Sequence, residues 1–119
     1  MTLPAFITVR TASARLPRKC LLPFGSSNVL QHVIHRVRHY GFRPIVCTTT
    51  ETDDDVIEKI AREEGVECFR GSVRHKLKRW LDCCNELDIA EFHAVDADDP
   101  FFDGEAVKQS MSLLESGYD

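Results

Sequence analysis

The chain has 119 residues, 43% of them hydrophobic and 29% charged, with a formal net charge of −4. That length suits one domain spanning 1–119 with a real core, and the composition excludes disordered and fibrous classes. No stretch approaches the ~18 uninterrupted apolar residues of a membrane span, and the run Ala5–Val9, closed by Arg10, is too short for a secretory h-region.

In chain order, Ala5 to Arg10 is apolar and rich in β-branched residues, which predicts a buried strand. Thr11 to Gly25 has no helical period and carries Pro17 and Pro23, which predicts a long loop. Ser27 or Asn28 caps a helix to about Tyr40, with Val29, Leu30, Val33, Ile34 and Val37 inward and Gly41 as its stop. Ile45 to Thr49 is a second strand. Thr52 or Asp53 opens the next helix, whose inner face is Val56, Ile57, Ile60 and Ala61 and whose stop is Gly65. Val66 to Phe69 is a third strand, and a helix from Val73 to Leu87 buries Leu77, Trp80, Leu81 and Cys84. Phe92 to Val95 is a fourth strand, 96–103 a loop, and 104–116 a last helix. This alternation predicts an α/β fold with a mainly parallel sheet.

Charge divides the chain. Residues 1–50 hold seven basic residues and no acid, whereas 51–119 carry eight basic residues and all 19 acids. Ligands of open α/β sheets bind beyond the carboxyl ends of the strands, which directs attention to 10–19, 48–55 and 96–100. The first segment has four cations and two hydroxyls in ten residues. Such a loop can wrap a polyphosphate, Ser13 and backbone N–H groups donating while Arg10, Arg15 and Lys19 neutralise charge. A solvated basic loop is the alternative. The third segment, Asp96-Ala97-Asp98-Asp99-Pro100, offers hard oxygen ligands of the kind Mg²⁺ takes alongside phosphate oxygens; a turn with helix-capping acids is its alternative. Thr48 to Thr50 either line the same rim or are simply strand formers.

Several ordered motifs carry a resemblance. The run Val9-Arg10-Thr11-Ala12-Ser13-Ala14-Arg15-Leu16-Pro17-Arg18-Lys19 resembles the A-R-x-x-S-x-R-L-P-x-K signature of cytidylyltransferases that activate acidic sugars. These are the CMP-Kdo and CMP-sialic acid synthetases and their spore-coat polysaccharide relatives. Phe69-Arg70-Gly71-Ser72 is similar to the family's F-R-G-S, Leu77-x-Arg79-Trp80 to its L-x-R-[YW], and Asp98-Asp99-Pro100 to its G-D-x-P. The chain departs from the pattern where glycine is usual, at Ala12, Arg18 and Ala97, and where Val9 replaces alanine.

The resemblance implies a three-layer, Rossmann-like nucleotide-diphospho-sugar-transferase fold, truncated to its N-terminal half. It implies transfer of CMP from CTP to a sialic acid- or Kdo-like sugar with release of pyrophosphate, in the cytoplasm. Arg10 and Lys19 are then the catalytic cations, and Arg10, Ser13, Arg15, Lys19, Arg70, Gly71 and Ser72 hold the nucleotide. Asp98 binds Mg²⁺. Family members are about twice as long and dimeric, their missing half supplying a second metal ligand, so a nucleotide-binding or interaction module without turnover is the competing reading. A transferase for neutral sugars using UTP or dTTP would show a glycine-rich G-x-S-x-R start, which this loop lacks.

Other signals are read blandly. Lys76 and Arg79 either face the phosphate or sugar side or are solvated helix cations, the second being the favoured reading. His32, His35 and His39 form a surface stripe rather than a zinc site, since no Asp or Cys partner lies nearby. The five cysteines lack C-x-x-C spacing and read as reduced cytosolic thiols, with Cys83-Cys84 as core packing. No nucleophile elbow is present, and the basic half lacks the aromatic platforms of a nucleic-acid surface.

Overall fold

The computed structural model describes residues 3–12 and 18–97. Its elements are β1 (Pro4–Thr8), β2 (Pro23–Phe24), β3 (Ser27–Asn28), α1 (Val29–His39), β4 (Arg43–Thr49), α2 (Asp55–Glu63), β5 (Glu67–Gly71), α3 (Lys76–Leu87) and β6 (His93–Asp96). Four strands form a wholly parallel sheet in the order β5-β4-β1-β6. The chain steps outward from β1 to β5, then returns across the sheet to place β6 on the other flank of β1. Strand order therefore reverses beside β1.

Alternation within the strands explains the layers. On one face Ala5, Ile7, Val46 and Val95 pack against Leu30, Val33, Ile34 and Val37 of α1 and Ile57, Ile60 and Ala61 of α2. On the other, Phe6, Ile45, Cys47 and Phe69 meet Cys83, Trp80 and Leu87 of α3. Phe92 stacks on Phe6 with ring centroids 4.1 Å apart, and Trp80 meets Phe92 edge-on at 5.6 Å. Phe6, Ile7, Leu30 and Ile34 are fully buried, each worth about 1.5–3 kcal/mol of transfer free energy. The half-exposed Arg43–Glu67 pair, at 2.8 Å, belongs to a class worth about 0–1 kcal/mol. Apolar burial holds the layers together.

The α1 start is set by a capping box: Asn28 Oδ1 accepts from Gln31 N–H at 2.8 Å, and Gln31 Oε1 accepts from Asn28 N–H at 3.0 Å. Gly41 and Gly65 follow α1 and α2 with φ of +83° and +70°, as the expected helix stops require. The fold matches the expected α/β class with a mainly parallel sheet, and two details differ. The span read as an irregular loop holds a 3-10 turn at Lys19–Leu21 and strand β2, which pairs with β3 just beyond the span in a hairpin, because a two-residue turn needs no periodic flank to announce it. On α3, Leu77 and Leu81 are 70% and 64% exposed, not buried. Leu81 lies about 100° around the helix from Trp80, and Leu77 sits in the first turn, ahead of the Trp80–Cys83–Cys84–Leu87 stripe that faces the sheet. Residues 104–116, read as a last helix, lie outside the described residues. No helix among the described residues is long and apolar enough to cross a membrane.

One buried carboxylate joins the segments at the strands' carboxyl ends. Asp54 is 2% exposed. Its Oδ1 accepts from the backbone N–H of Thr11 at 2.8 Å and from the Thr11 hydroxyl at 2.9 Å, and its Oδ2 accepts from the Thr49 hydroxyl. Burial pushes its pKa up, but the Thr11 and Thr49 hydrogen bonds and the nearby Arg10 charge outweigh that and hold it below the ordinary carboxylate value.

Asp54→Asn should cost about 2–3 kcal/mol in urea unfolding, since it removes a charged acceptor and turns an amide N–H toward buried donors. A group with a lowered folded pKa stabilises above the unfolded value near 3.9 and loses that contribution as pH falls through the folded one. The stability profile of Asp54→Asn should thus be flatter than the parent's below about pH 4.

Candidate functional site

A cavity of about 280 Å³ opens where the strand order reverses. Thr8, Val9 and Arg10 at the end of β1 form one side, and Asp96 and Ala97 at the end of β6 another. Ala12, Lys19 and Cys20 come from the segment after β1; Val73, Arg74, Lys76 and Arg79 come from the β5–α3 turn and the start of α3. Two backbone bonds close the frame, from Ala97 N–H to Thr8 O at 3.2 Å and from Arg18 N–H to Thr11 O at 2.7 Å. Five cationic side chains and one carboxylate line the cavity among the described residues.

The basic early segment and the end of β6, at Asp96 and Ala97, therefore meet at one rim. Arg10 and Lys19 are brought together on the wall. Arg10 is exposed, and its Nη1 donates to Val73 O at 3.3 Å, bridging to the α3 side. Ser13, Arg15 and Asp98 lie outside the described residues.

The F-R-G-S residues stand elsewhere. The Arg70 guanidinium is held by Asp55 Oδ1 at 2.7 Å, Glu58 Oε2 at 2.9 Å, Thr49 O at 2.8 Å and Glu51 O at 2.6 Å. Hydrogen bonds to Asp55 and Glu58 raise its pKa further. It ties β5 to α2 and does not line the cavity. Gly71 and Ser72 also lie behind the wall. A Cβ on Gly71 would stand 2.7 Å from the Phe69 ring and 3.1 Å from Arg79 Cγ, so the close approach this glycine permits is that of its own neighbours. Ser72 Oγ accepts from His75 N–H at 3.2 Å, and its carbonyl accepts from Arg79 Nε at 3.0 Å. Thr48 and Thr49 are buried, Thr50 is exposed, and none of the three lines this cavity.

Sequence reasoning missed Arg79. Read as a solvated helix cation, it is 2% exposed. Its Nη1 is buried with no hydrogen-bond partner among the described residues. Burial, and next the charge of Arg10, press its pKa below the ordinary arginine value. The signal was present in L-x-R-[YW]: Trp80 faces the sheet and donates from Nε1 to Thr8 Oγ1 at 3.1 Å, which turns its neighbour toward the cavity. Asp54 was missed because three consecutive aspartates give no clue as to which one turns inward. No cluster of three His, Cys, Asp or Glu side chains suited to a metal exists among the described residues. All five cysteines are free.

The donor set bears on magnesium. Asp96 is exposed at the end of β6 and is the one carboxylate among the described residues that line the cavity. Mg²⁺ typically takes one or two carboxylates, with phosphate oxygens and water completing its shell. The residues present fit such an ion when it arrives with phosphate.

A parallel sheet with helices on both faces, and a cavity at its switch point lined mostly by cations among its charged described residues, define a Rossmann-like α/β domain. The sequence model of the Cytidylyltransferase family matches residues 5–119, and this chain belongs to that family. It is 31% identical to the spore coat polysaccharide biosynthesis protein SpsF of Bacillus subtilis over 105 residues, covering 83% of this chain and 44% of the relative. Identity to 3-deoxy-manno-octulosonate cytidylyltransferase 1 of Actinobacillus pleuropneumoniae is 29% over 120 residues, covering 97% and 47%. Among solved structures, a cytidylyltransferase from Leptospira borgpetersenii superposes with a TM-score of 0.90 at 32% identity, covering 98% of this chain and 50% of that one. A CMP:2-keto-3-deoxy-manno-octonic acid synthetase complexed with CTP shares the fold, with a TM-score of 0.80 at 19% identity. The chain spans about half the length of the curated relatives it matches.

Gly71→Ala should destabilise by about 1–3 kcal/mol, because the Phe69 ring must leave its place for the new methyl. Urea unfolding measures it, and a change within ~0.3 kcal/mol would mean the ring yields freely.

Proposed function

We propose that the cavity binds the triphosphate of CTP and that this chain takes part in transferring CMP to an acidic sugar, with release of pyrophosphate. One observation supports this above the others: a buried arginine with an unsatisfied Nη1 stands beside Arg10 on the cavity wall. The exposed Arg10 and the buried Arg79 carry like charge on one wall and repel each other, and a polyphosphate between them would turn that repulsion into attraction. The printed names of the relatives favour cytidine as the base and a sugar acid as the acceptor.

The chemistry is an in-line displacement. An acceptor hydroxyl oxygen forms a bond to the α-phosphorus, the α-phosphorus–oxygen bond to the β-phosphate breaks, and the hydroxyl proton passes to solvent. Little covalent work falls to the protein, so catalysis rests on alignment and on charge stabilisation. Arg10 and Lys19 have the position to neutralise charge building on the leaving pyrophosphate, with Arg79 fixed behind them by Ser72. Ser13 and Arg15 belong to the same loop by sequence and would add donors to the tail. Asp96 and Asp98 would hold magnesium, which, when bound, supplies Lewis-acid neutralisation of the phosphate oxygens. Arg70, Gly71 and Ser72 act one layer back, as the packing that holds the β5–α3 turn. The setting we infer is cytoplasmic synthesis of activated sugars for surface polysaccharide.

Isothermal titration checks the binding half. CTP should bind more tightly than ATP or GTP, and equal heats with all three would sink the cytidine reading. Arg10→Ala and Lys19→Ala should each weaken CTP binding by roughly ten- to a hundredfold, the worth of a charge-assisted contact. A pyrophosphate-release assay with CTP and sugar acids then separates turnover from binding alone.

A further inference from the structure

Two buried thiols touch behind the cavity wall. Cys47 of β4 and Cys83 of α3 are fully buried, and Cys47 Sγ donates a hydrogen bond to Cys83 Sγ at 3.8 Å. All five cysteines are free, and the layers of the fold sort them. Cys20 and Cys68 belong to the α1–α2 side of the sheet, whereas Cys47 and Cys83 share the α3 side with Cys84. Cys83 and Cys84 are adjacent in sequence, and such neighbours rarely close an unstrained bridge. The pair across the β4–α3 contact is the one the fold sets up for bonding.

The two thiols are chemically unequal. The hydrogen bond from Cys47 lowers the Cys83 thiol below the ordinary cysteine value, and the same bond, together with burial, raises Cys47. Cys83 is therefore the readier nucleophile. Leu77 and Leu81 on α3 are exposed, so no second layer of described residues covers the helix that carries it.

A bond at this place would move the cavity. Cys47 pairs in register with Thr8 of β1, a lining residue, and with Phe69 of β5. Cys83 lies about one helical turn beyond Arg79, another lining residue. A covalent S–S bond is far shorter than the 3.8 Å contact, so closing it draws α3 and β4 together. The wall has little slack to absorb that shift, since even a methyl group on Gly71 would meet Phe69 and Arg79.

We propose that Cys47 and Cys83 form a redox-sensitive dithiol, whose oxidation by a peroxide closes a disulfide from β4 to α3 and displaces the Thr8–Arg79 side of the cavity. The Cys83 thiolate attacks one peroxide oxygen. The O–O bond breaks, the leaving hydroxide takes up a proton as water, and Cys83 becomes a sulfenic acid. The Cys47 sulfur then attacks the Cys83 sulfur. The S–O bond breaks, and hydroxide departs with the Cys47 proton as a second water. The thiol pair gives up two electrons, and the peroxide takes them. The effect on nucleotide rests on the CTP reading above; the disulfide itself does not.

Hydrogen peroxide is the probe, added to the reduced full chain, with alkylation and peptide mass spectrometry run without reduction. A Cys47–Cys83 link, lighter by two hydrogens, should form and should disappear with dithiothreitol. The oxidised chain should unfold at a higher urea concentration, because the bond closes the loop between residues 47 and 83. It should also bind CTP about fivefold or more weakly by isothermal titration, and dithiothreitol should restore both properties. Cys83→Ala should lose both responses, with circular dichroism verifying its fold; the peptide map of the parent needs no variant. Persistence of both thiols, or a link to Cys20, Cys68 or Cys84 instead, would overturn the proposal. So would a Cys47–Cys83 link that leaves CTP affinity unchanged, or an equal peroxide-induced loss of CTP binding in Cys83→Ala. If the reduced chain binds no CTP, the nucleotide reading falls, whereas the mapped link and its reversible urea shift still uphold the dithiol.

Discussion

Everything at the carboxyl edge of the sheet depends on one buried carboxylate. Asp54 receives the Thr11 backbone N–H, the Thr11 hydroxyl and the Thr49 hydroxyl, so the segment leaving β1 is fixed to the end of β4. A bare carboxylate there would cost several kcal/mol to desolvate. Three donors and the charge of Arg10 offset that cost. The loop after β1 must start along a defined path if Arg10 and Lys19 are to share a wall, and hydrogen bonds to a charged acceptor impose it more sharply than apolar contact would. The exit of β1 is thus set by β4, its neighbour, rather than by β1 itself.

On the other side the physics runs in reverse. Arg79 is buried beside Arg10, one guanidinium nitrogen unsatisfied and its pKa pressed down. Asp54 stabilises the folded chain, and Arg79 burdens it. A protein keeps a buried cation with no partner among the described residues only where the surrounding packing over-determines it, and here the packing is visible: Gly71 leaves room for both the Phe69 ring and the arginine stem, and Ser72 O holds Nε. Under the proposed triphosphate reading, an incoming anion would relieve that burden, which is how a site can be prepared before its ligand arrives.

The layers were legible in the sequence because their signals are periodic. Val33, Ile34 and Val37 repeat at helical steps, Ile57, Ile60 and Ala61 likewise, and each faces the sheet as the spacing requires. α3 shows where that logic ends. Its sequence offers Leu77 and Leu81 at a helical interval, yet its inner stripe runs through Trp80, Cys83, Cys84 and Leu87. Two apolar stripes compete on one helix, and only the crossing of α3 over Phe6 and Cys47 chooses between them. Asp54 and Arg79 were illegible for a related reason: their meaning lies in partners 43 and seven residues away, and local pattern assigns charged residues to solvent by default.

The motifs carry a further lesson about what a match transmits. F-R-G-S marks the family, but none of Arg70, Gly71 and Ser72 lines the cavity. Arg70 clamps the start of α2 and the turn after β4; Gly71 and Ser72 seat Arg79. A run of four residues can persist because it builds the wall that presents another residue. The residue that the motif seats in the cavity wall lies eight positions downstream of its glycine, an arginine that composition alone would leave in solvent. Proximity to ligand and resemblance to a signature are separate properties, and in this chain the cavity geometry ranks Arg79 above the motif that holds it.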